Sequence, residues 1–170
     1  NKYSYFYGGA MIEEEDYEFV SKFLNLAKAT VDLHEMKRTK ITEKNYKDYI
    51  YVLELFFTFV KSGKVKVRVM FSPNNQLIIM PKIEDESYFK LYYTFIKNAF
   101  SLAFTNFNIR LRLIFDELPD KKEKNDKFKS FFVKQISHPN KYGNICYTKN
   151  RFIEEVNSEL HPILQCVDVI

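Results

Sequence analysis

The sequence predicts an α/β domain, and three of its features indicate this class. The stretches "KVKVRVMF" and "NIRLRLIF" alternate apolar and polar residues with the two-residue period of strands. Segments with helical spacing, about 10 to 20 residues long, separate the strand-like runs, which favours a largely parallel or mixed sheet with helices around it. Because 46% of the residues are apolar and 17% are aromatic, the chain can bury a sizeable core.

The first half of the chain alternates between strand and helix signals. Tyr3 to Ile12 is rich in β-formers, and its Gly8-Gly9 pair indicates a bulge or a close backbone crossing. Helical spacing runs from Glu15 to Thr30 and again from Thr42 to a stop at Gly63. The apolar positions at helical spacing are Phe19, Phe23, Leu26 and Ala27 in the first helix and Tyr46, Tyr49, Ile50, Leu53, Phe56, Phe57 and Val60 in the second.

The second half repeats this alternation. A third helix is predicted from about Asp85 to Phe104, and "NIRLRLIFDEL" reads as a strand that ends in acid. A short helix should follow within "PDKKEKNDKFKSFFVKQI", then one or two short strands, then a last helix that tolerates Pro162 in its first turn. On one sheet face we expect a shared core of Val65, Val67, Val69, Phe71, Leu111, Leu113 and Phe115.

Composition narrows the classes of protein. The formal charge of +4 is compatible with a polyanionic partner but does not require one. The two cysteines, Cys146 and Cys166, have no metal-ligand spacing, and no apolar run approaches the roughly 20 residues that span a bilayer. We therefore expect a reduced, cytoplasmic protein without a membrane partner. Both chain ends fall inside apolar runs, so we expect residues 1–170 to be a single domain truncated at both termini.

Three carboxylates are candidates for a functional site. Asp116 ends a predicted strand, Glu35 lies in the basic connector "HEMKRTK", and Asp168 lies in the apolar last helix. A turn or cap role competes for Asp116, and an ion pair with Lys37 or Arg38 competes for Glu35. Asp168 requires a partner if its helix is buried over most of its circumference. Convergent carboxylates repel one another and favour a hard divalent cation, Mg²⁺ or Mn²⁺.

Five stretches in order carry a family resemblance: "FYGGAMI", "EMKRTKI", "KVKVRVMF", "LRLIFDE" and "ILQCVDVI". Together they resemble the bacterial domain-of-unknown-function family 3800, which has an RNase H-like fold. Glu35-Met36-Lys37 is similar to the family's Glu-x-Lys segment, Asp116-Glu117 to its acidic strand end, and Gln165 to Asp168 to its Gln-x-x-Asp helix. The resemblance implies a mixed sheet flanked by helices, with the family's first strand and its acid missing before Asn1.

The resemblance also implies a function. Glu35, Asp116 and Asp168 would be the metal ligands of a nuclease that cleaves nucleic-acid phosphodiesters with two Mg²⁺ or Mn²⁺ ions, and Lys37 would contact a phosphate or leaving group. Asp116 and Asp168 should then face a common cleft. The alternative is a non-catalytic module that binds nucleic acid or a protein partner. The candidate nucleic-acid contacts are Lys37, Arg38, Lys40, Arg110 and Arg112, which equally suit charged faces of edge strands.

Overall fold

A computed structural model of the chain describes residues 3–73, 84–116 and 122–170. Within these ranges the chain is a mixed α/β protein with five α-helices. The predicted strand at the start and the existence of the helices that follow it are confirmed, as is the place of Pro162 in the first turn of the last helix. The second helix begins at Tyr46 rather than Thr42, and the third ends at Ala99 rather than Phe104. The helices are α1 (Glu14–Thr30), α2 (Tyr46–Lys61), α3 (Glu84–Ala99), α4 (Lys122–Ile136) and α5 (Pro162–Val169).

The strands pair two by two. Their bounds are β1 (Tyr3–Ile12), β2 (Val65–Pro73), β3 (Ile109–Arg110), β4 (Leu113–Phe115), β5 (Cys146–Tyr147) and β6 (Ile153–Glu155). In the part of the chain that the structure describes, β1 pairs with β2, β3 with β5 and β4 with β6, and the last two pairs are parallel. The predicted "NIRLRLIFDEL" strand is therefore two short strands interrupted at Leu111 and Arg112.

The predicted shared sheet face is only partly buried. Val65 is fully buried, but Val69 and Phe71 are 43% and 55% exposed. Leu111, Leu113 and Phe115 are half-buried, and β4 takes β6 rather than β2 as its partner. The alternating period located β2 correctly, but it does not show which face of a strand is covered because that depends on distant segments.

The chain divides into two compact units. Unit 1 contains residues 1–7 and 69–155, and unit 2 contains residues 8–68 and 156–170. The unit boundaries fall between Tyr7 and Gly8 in β1, between Arg68 and Val69 in β2, and directly after β6. The single-domain assignment stays a prediction.

The core of unit 2 lies where α1, α2 and α5 pack together. On α1 the buried face carries Val20, Leu24, Ala27 and Lys28, whereas Phe19 and Phe23 are 47% and 41% exposed. The predicted apolar face of α1 was therefore right at Ala27 but wrong at Phe19, Phe23 and Leu26, because the aromatic stripe was chosen over the neighbouring aliphatic stripe. The cluster comprises Val20, Leu24, Ala27, Met36, Tyr49, Val52, Phe56, Phe59, Val65, Ile163 and Cys166.

Aromatic rings fill the core of unit 1. Phe128 of α4 lies with its ring centroid 5.6 Å from that of Phe115 and 5.9 Å from that of Tyr92. Tyr92 of α3 also meets Tyr7 edge-on at 4.9 Å. Edge-to-face contacts of this kind add about 0.5–1.5 kcal/mol each beyond the burial of area. The ring cluster therefore joins β4, α3 and α4, and with them the strand end that carries Asp116.

Gly8 explains part of the Gly8-Gly9 signal. A Cβ atom built on Gly8 would lie only 3.1 Å from Cγ1 of Val167 on α5. The close backbone approach expected from the glycines is confirmed at this position. It brings β1 against the helix turn next to Asp168.

We expect Gly8→Ala to lower the free energy of unfolding by about 1 kcal/mol, because the added methyl group overpacks the contact with Val167. Val167→Ala should remove the clash, so Gly8→Ala introduced into that background should cost less than in the wild type. Urea unfolding of the four proteins in this double-mutant cycle measures the coupling. Additive effects would contradict the close approach.

No described helix is both long and apolar enough to cross a lipid bilayer.

Candidate functional site

The connector between α1 and α2 carries Glu35 and its basic neighbours. Lys37 has extended backbone angles, φ −135° and ψ 140°, and a short 3₁₀ turn follows at Arg38–Lys40. Met36 is fully buried in the core of unit 2. Successive side chains of extended backbone point to opposite sides. The burial of Met36 therefore leaves Glu35 and Lys37 together on the other side.

Two side chains of α5 bind the backbone of this connector. The N–H of Met36 donates to Oε1 of Gln165 at 2.9 Å, and the N–H of Arg38 donates to Oδ2 of Asp168 at 3.2 Å. Alternate N–H groups of an extended segment point the same way, and residues three apart share a helix face. The predicted Glu-x-Lys and Gln-x-x-Asp segments are therefore held side by side within unit 2.

The reason given for expecting a partner at Asp168 was wrong. Its side chain is exposed, and the buried face of α5 carries Pro162, Ile163, Gln165 and Cys166. The carboxylate nevertheless has a partner, the Arg38 N–H. A hydrogen bond to an ionised acceptor is stronger than a neutral one, so Asp168 stabilises the start of the 3₁₀ turn.

Glu35 forms ion pairs with two lysines of its own connector. Its Oε1 lies 3.0 Å from Nζ of Lys37, and its Oε2 accepts a hydrogen bond from Nζ of Lys40. The hydrogen bonds from Lys40 and then from Lys37 hold the pKa of the Glu35 carboxyl below its usual range. The ion-pair alternative considered for Glu35 is confirmed for Lys37, and Lys40 is an additional partner.

Glu35→Gln is expected to reduce the loss of unfolding free energy that acidification causes. A carboxylate with a depressed folded-state pKa contributes stability above its unfolded-state pKa, and this stability is lost as the pH falls through the folded-state value. The wild type should therefore lose more stability than the variant as the pH falls below about 4.5. Urea unfolding as a function of pH measures this. Glu43→Gln, at an exposed acid of the same connector, is the control, and a Glu35→Gln profile as steep as that of the control would contradict the ion pairs.

Lys28 is a buried lysine on α1, and the sequence analysis did not single it out. Its side chain on α1 is only 5% exposed. Burial lowers the pKa of the Lys28 ammonium, while Cys166, Glu35 and Glu159 act in the opposite direction. Its position in the stripe of Val20, Leu24 and Ala27 was the signal that could have found it.

Asp116 lies in unit 1, where a second acid, Glu155, lies at the same edge of a two-stranded sheet. Asp116 follows β4 directly and is exposed. β4 and β6 are parallel with Phe115 opposite Glu155, so the carboxyl ends of both strands lie at one edge. Glu155 accepts from Nδ2 of Asn125 at 3.0 Å and pairs with Nζ of Lys129 at 2.8 Å. A common cleft for Asp116 and Asp168 stays a prediction.

The two candidate arginines of unit 1 are both exposed. Nε and Nη2 of Arg112 bind the two carboxylate oxygens of Glu154 at 3.2 and 3.0 Å. This bidentate geometry is the one that arginine would use toward a phosphate. A phosphate contact by Arg112 therefore requires this ion pair to open.

The two cysteines are buried thiols without a disulfide. Burial raises the pKa of Cys166 to about 12 and also raises the pKa of Cys146. Only a thiolate is an effective nucleophile. Neither residue is therefore suited to nucleophilic catalysis at neutral pH.

The carboxylate oxygens of Glu35 and Asp168 are ligands that a hard cation prefers, but two acids are fewer than a complete metal site uses. Among residues 3–73, 84–116 and 122–170, no group of three His, Cys, Asp or Glu side chains is placed to hold a metal ion. The predicted ligands in unit 2 are Glu35 and Asp168, and Asp116 belongs to unit 1. A complete metal centre at these acids stays a prediction.

No family model, curated protein or solved structure matches the chain. The resemblance to domain-of-unknown-function family 3800 therefore stays a prediction.

Proposed function

We propose that the protein acts on nucleic-acid phosphodiesters as a metal-dependent nuclease or nuclease-like protein of RNase H type. In this proposal its helices flank a mixed sheet. One observation carries the proposal: the Asp168 carboxylate binds the Arg38 N–H at 3.2 Å and so lies beside the Glu35–Lys37 segment. The two segments that carry these acids are distant in the sequence and are brought together by this hydrogen bond, which agrees with what the family resemblance implies.

The residues of this site have distinct proposed roles. Glu35 and Asp168 are the proposed metal ligands of unit 2, and Asp116 is the proposed ligand of unit 1. Mg²⁺ or Mn²⁺ held by these acids would supply an activated water and stabilisation of the leaving oxygen. Lys37 is the candidate phosphate contact. Its ammonium pairs with Glu35 at 3.0 Å, so a phosphate contact by Lys37 would require this ion pair to open.

The basic segment next to the acids supports a polyanionic substrate. Arg38 and Lys40 are exposed, and Lys37 has 42% of its side chain exposed. These three residues are the proposed backbone contacts of unit 2, and Arg110 and Arg112 are those of unit 1. Contacts of this kind position a nucleic acid without reading its sequence.

A non-catalytic binding module is the second candidate, and one observation favours it. Two lysines already balance the charge of Glu35, so no cation is needed for that purpose. A protein of this kind would bind nucleic acid or a protein partner through the same basic segment without cleaving it.

A cleavage assay with the intact protein separates the two functions. Single-stranded RNA, duplex DNA and an RNA–DNA hybrid are incubated with Mg²⁺, with Mn²⁺ and with EDTA. The first proposal expects cation-dependent products from at least one substrate. Salt-sensitive binding without products would favour the binding module. Neither cleavage nor binding would contradict both the nuclease and the nucleic-acid-binding form of the module.

A further inference from the structure

Gln165 is a buried polar side chain, and both its amide nitrogen and its amide oxygen form hydrogen bonds. It lies on α5 and is 1% exposed. Its Nε2 donates to the carbonyl oxygens of Ser158 and Glu159, both at 2.8 Å, and its Oε1 accepts from the N–H of Met36 at 2.9 Å. Two carbonyls require the nitrogen and one N–H requires the oxygen, so the orientation of the amide is fixed by its partners.

These hydrogen bonds connect three segments of unit 2. One is α5 itself, another is the 3₁₀ turn Ser158–Leu160 that precedes it, and the third is the connector at Met36. Met36 lies between Glu35 and Lys37, so fixing its backbone fixes where both of these side chains begin. A buried amide that loses its partners is costly, which makes this arrangement strongly preferred over a shifted one.

We infer that Gln165 is a positioning residue of the candidate site: it holds the Glu35–Lys37 segment in register with Asp168, one helical turn further along α5. The inference rests on the proposed function for its link to cation binding. Its structural part, the fixed register of the connector, follows from the three hydrogen bonds alone.

Gln165→Met tests the inference. Methionine has a similar length and fills the same space, but it makes none of the three hydrogen bonds. Amide hydrogen exchange should become at least about tenfold faster at Met36 and Arg38, relative to the change in global stability. Mn²⁺ affinity of the intact protein, measured by calorimetry, should fall by about 10- to 100-fold, as for other groups that orient metal ligands.

Ile163→Ala is the matched control. Ile163 is buried on the same helix, and its truncation weakens packing without removing a hydrogen bond. Global stability should fall, while Mn²⁺ affinity should stay within about twofold of the wild type because the ligands keep their positions. Equal losses of Mn²⁺ affinity in the Gln165→Met and Ile163→Ala proteins would overturn the inference, since any packing defect would then have the same effect.

Gln165→Glu is a second variant, which separates the partner of Oε1 from the partners of Nε2. The carboxylate keeps an acceptor for Met36 but lacks the donors for Ser158 and Glu159. Exchange at Met36 should therefore remain closer to the wild type than exchange at Leu160 and His161, whose turn loses its anchor. Uniformly faster exchange at all of these amides would overturn the inference. Only exchange is compared for this variant, because the new charge would itself alter cation binding.

Failure of the proposed function is distinguishable from failure of this inference. If the wild type binds no Mn²⁺, the proposed metal site falls. Hydrogen exchange then decides the positioning role alone. Selective exposure of Met36 and Arg38 in Gln165→Met, but not in Ile163→Ala, would support it, and equal exposure in both would overturn it.

Discussion

Asp168→Asn is expected to reduce cation-dependent cleavage by at least about 100-fold while leaving the fold intact. The amide keeps an oxygen that can accept the Arg38 N–H now bound at 3.2 Å, so the connector should stay in place. It lacks the negative charge that offsets a divalent ion, and a metal ion supplies several kcal/mol of stabilisation to such a reaction. Initial cleavage rates of the intact protein at fixed Mg²⁺ concentration measure the loss.

Asp168→Ala is the companion variant because it removes the acceptor together with the charge. It should lose activity like the asparagine variant and also lose about 1 kcal/mol of stability. If Asp168→Asn cleaves at the wild-type rate, Asp168 is only a structural acceptor for Arg38. If Asp168→Asn unfolds as readily as Asp168→Ala, the charge itself is what stabilises the connector.

Phe56→Ala is expected to lower the free energy of unfolding by about 3–5 kcal/mol, the largest effect on stability that we predict. Phe56 is fully buried on α2 and belongs to the core cluster of unit 2. Its truncation would leave a cavity among side chains of α1, α2 and α5, which also hold the connector. Urea unfolding followed by far-UV circular dichroism measures the change.

Phe57→Ala is the control, since it removes the same atoms from the next residue of the same helix. Phe57 is 47% exposed, so its loss should cost no more than about 1 kcal/mol. Similar losses in the two variants would contradict the burial pattern of α2, and with it the assignment of the core.

The elements with strong local signals could be predicted from the sequence. Helical spacing located α1 within one residue of its start, and β-formers located β1. Helix faces were harder to predict. On α1 the aromatic stripe and the stripe of Val20 and Leu24 have the same period, and only packing against α2 and α5 decides which is buried. Aromatic bulk drew the prediction to the exposed face.

Strand pairing depends on partners that are distant in sequence, and the sequence did not predict it. The alternation through Arg110 and Arg112 continues past a break in the backbone pairing, since β3 pairs with β5 and β4 with β6. Periodicity describes one strand at a time, whereas register and sheet order are properties of two. The carboxyl edge that Asp116 shares with Glu155 was missed for this reason.

The candidate site was predicted in part. Glu35 and Asp168 were singled out, and the structure brings their segments together through the N–H groups of Met36 and Arg38. Gln165 was noticed only as part of a pattern, although a glutamine in an otherwise apolar helix indicates a buried hydrogen-bonding partner. Its three partners lie in two segments, the turn before α5 and the distant connector, so no local pattern could show all that it binds.

Thermal unfolding of the wild type and Asp168→Asn, with and without Mn²⁺, tests most directly whether Glu35 and Asp168 belong to a cation site. A cation that binds only the folded protein stabilises it by about 2.7 kcal/mol at 100 times its dissociation constant. We predict that Mn²⁺ raises the melting temperature of the wild type and leaves that of Asp168→Asn unchanged. An equal shift in both proteins, or no shift in the wild type, would contradict the metal site.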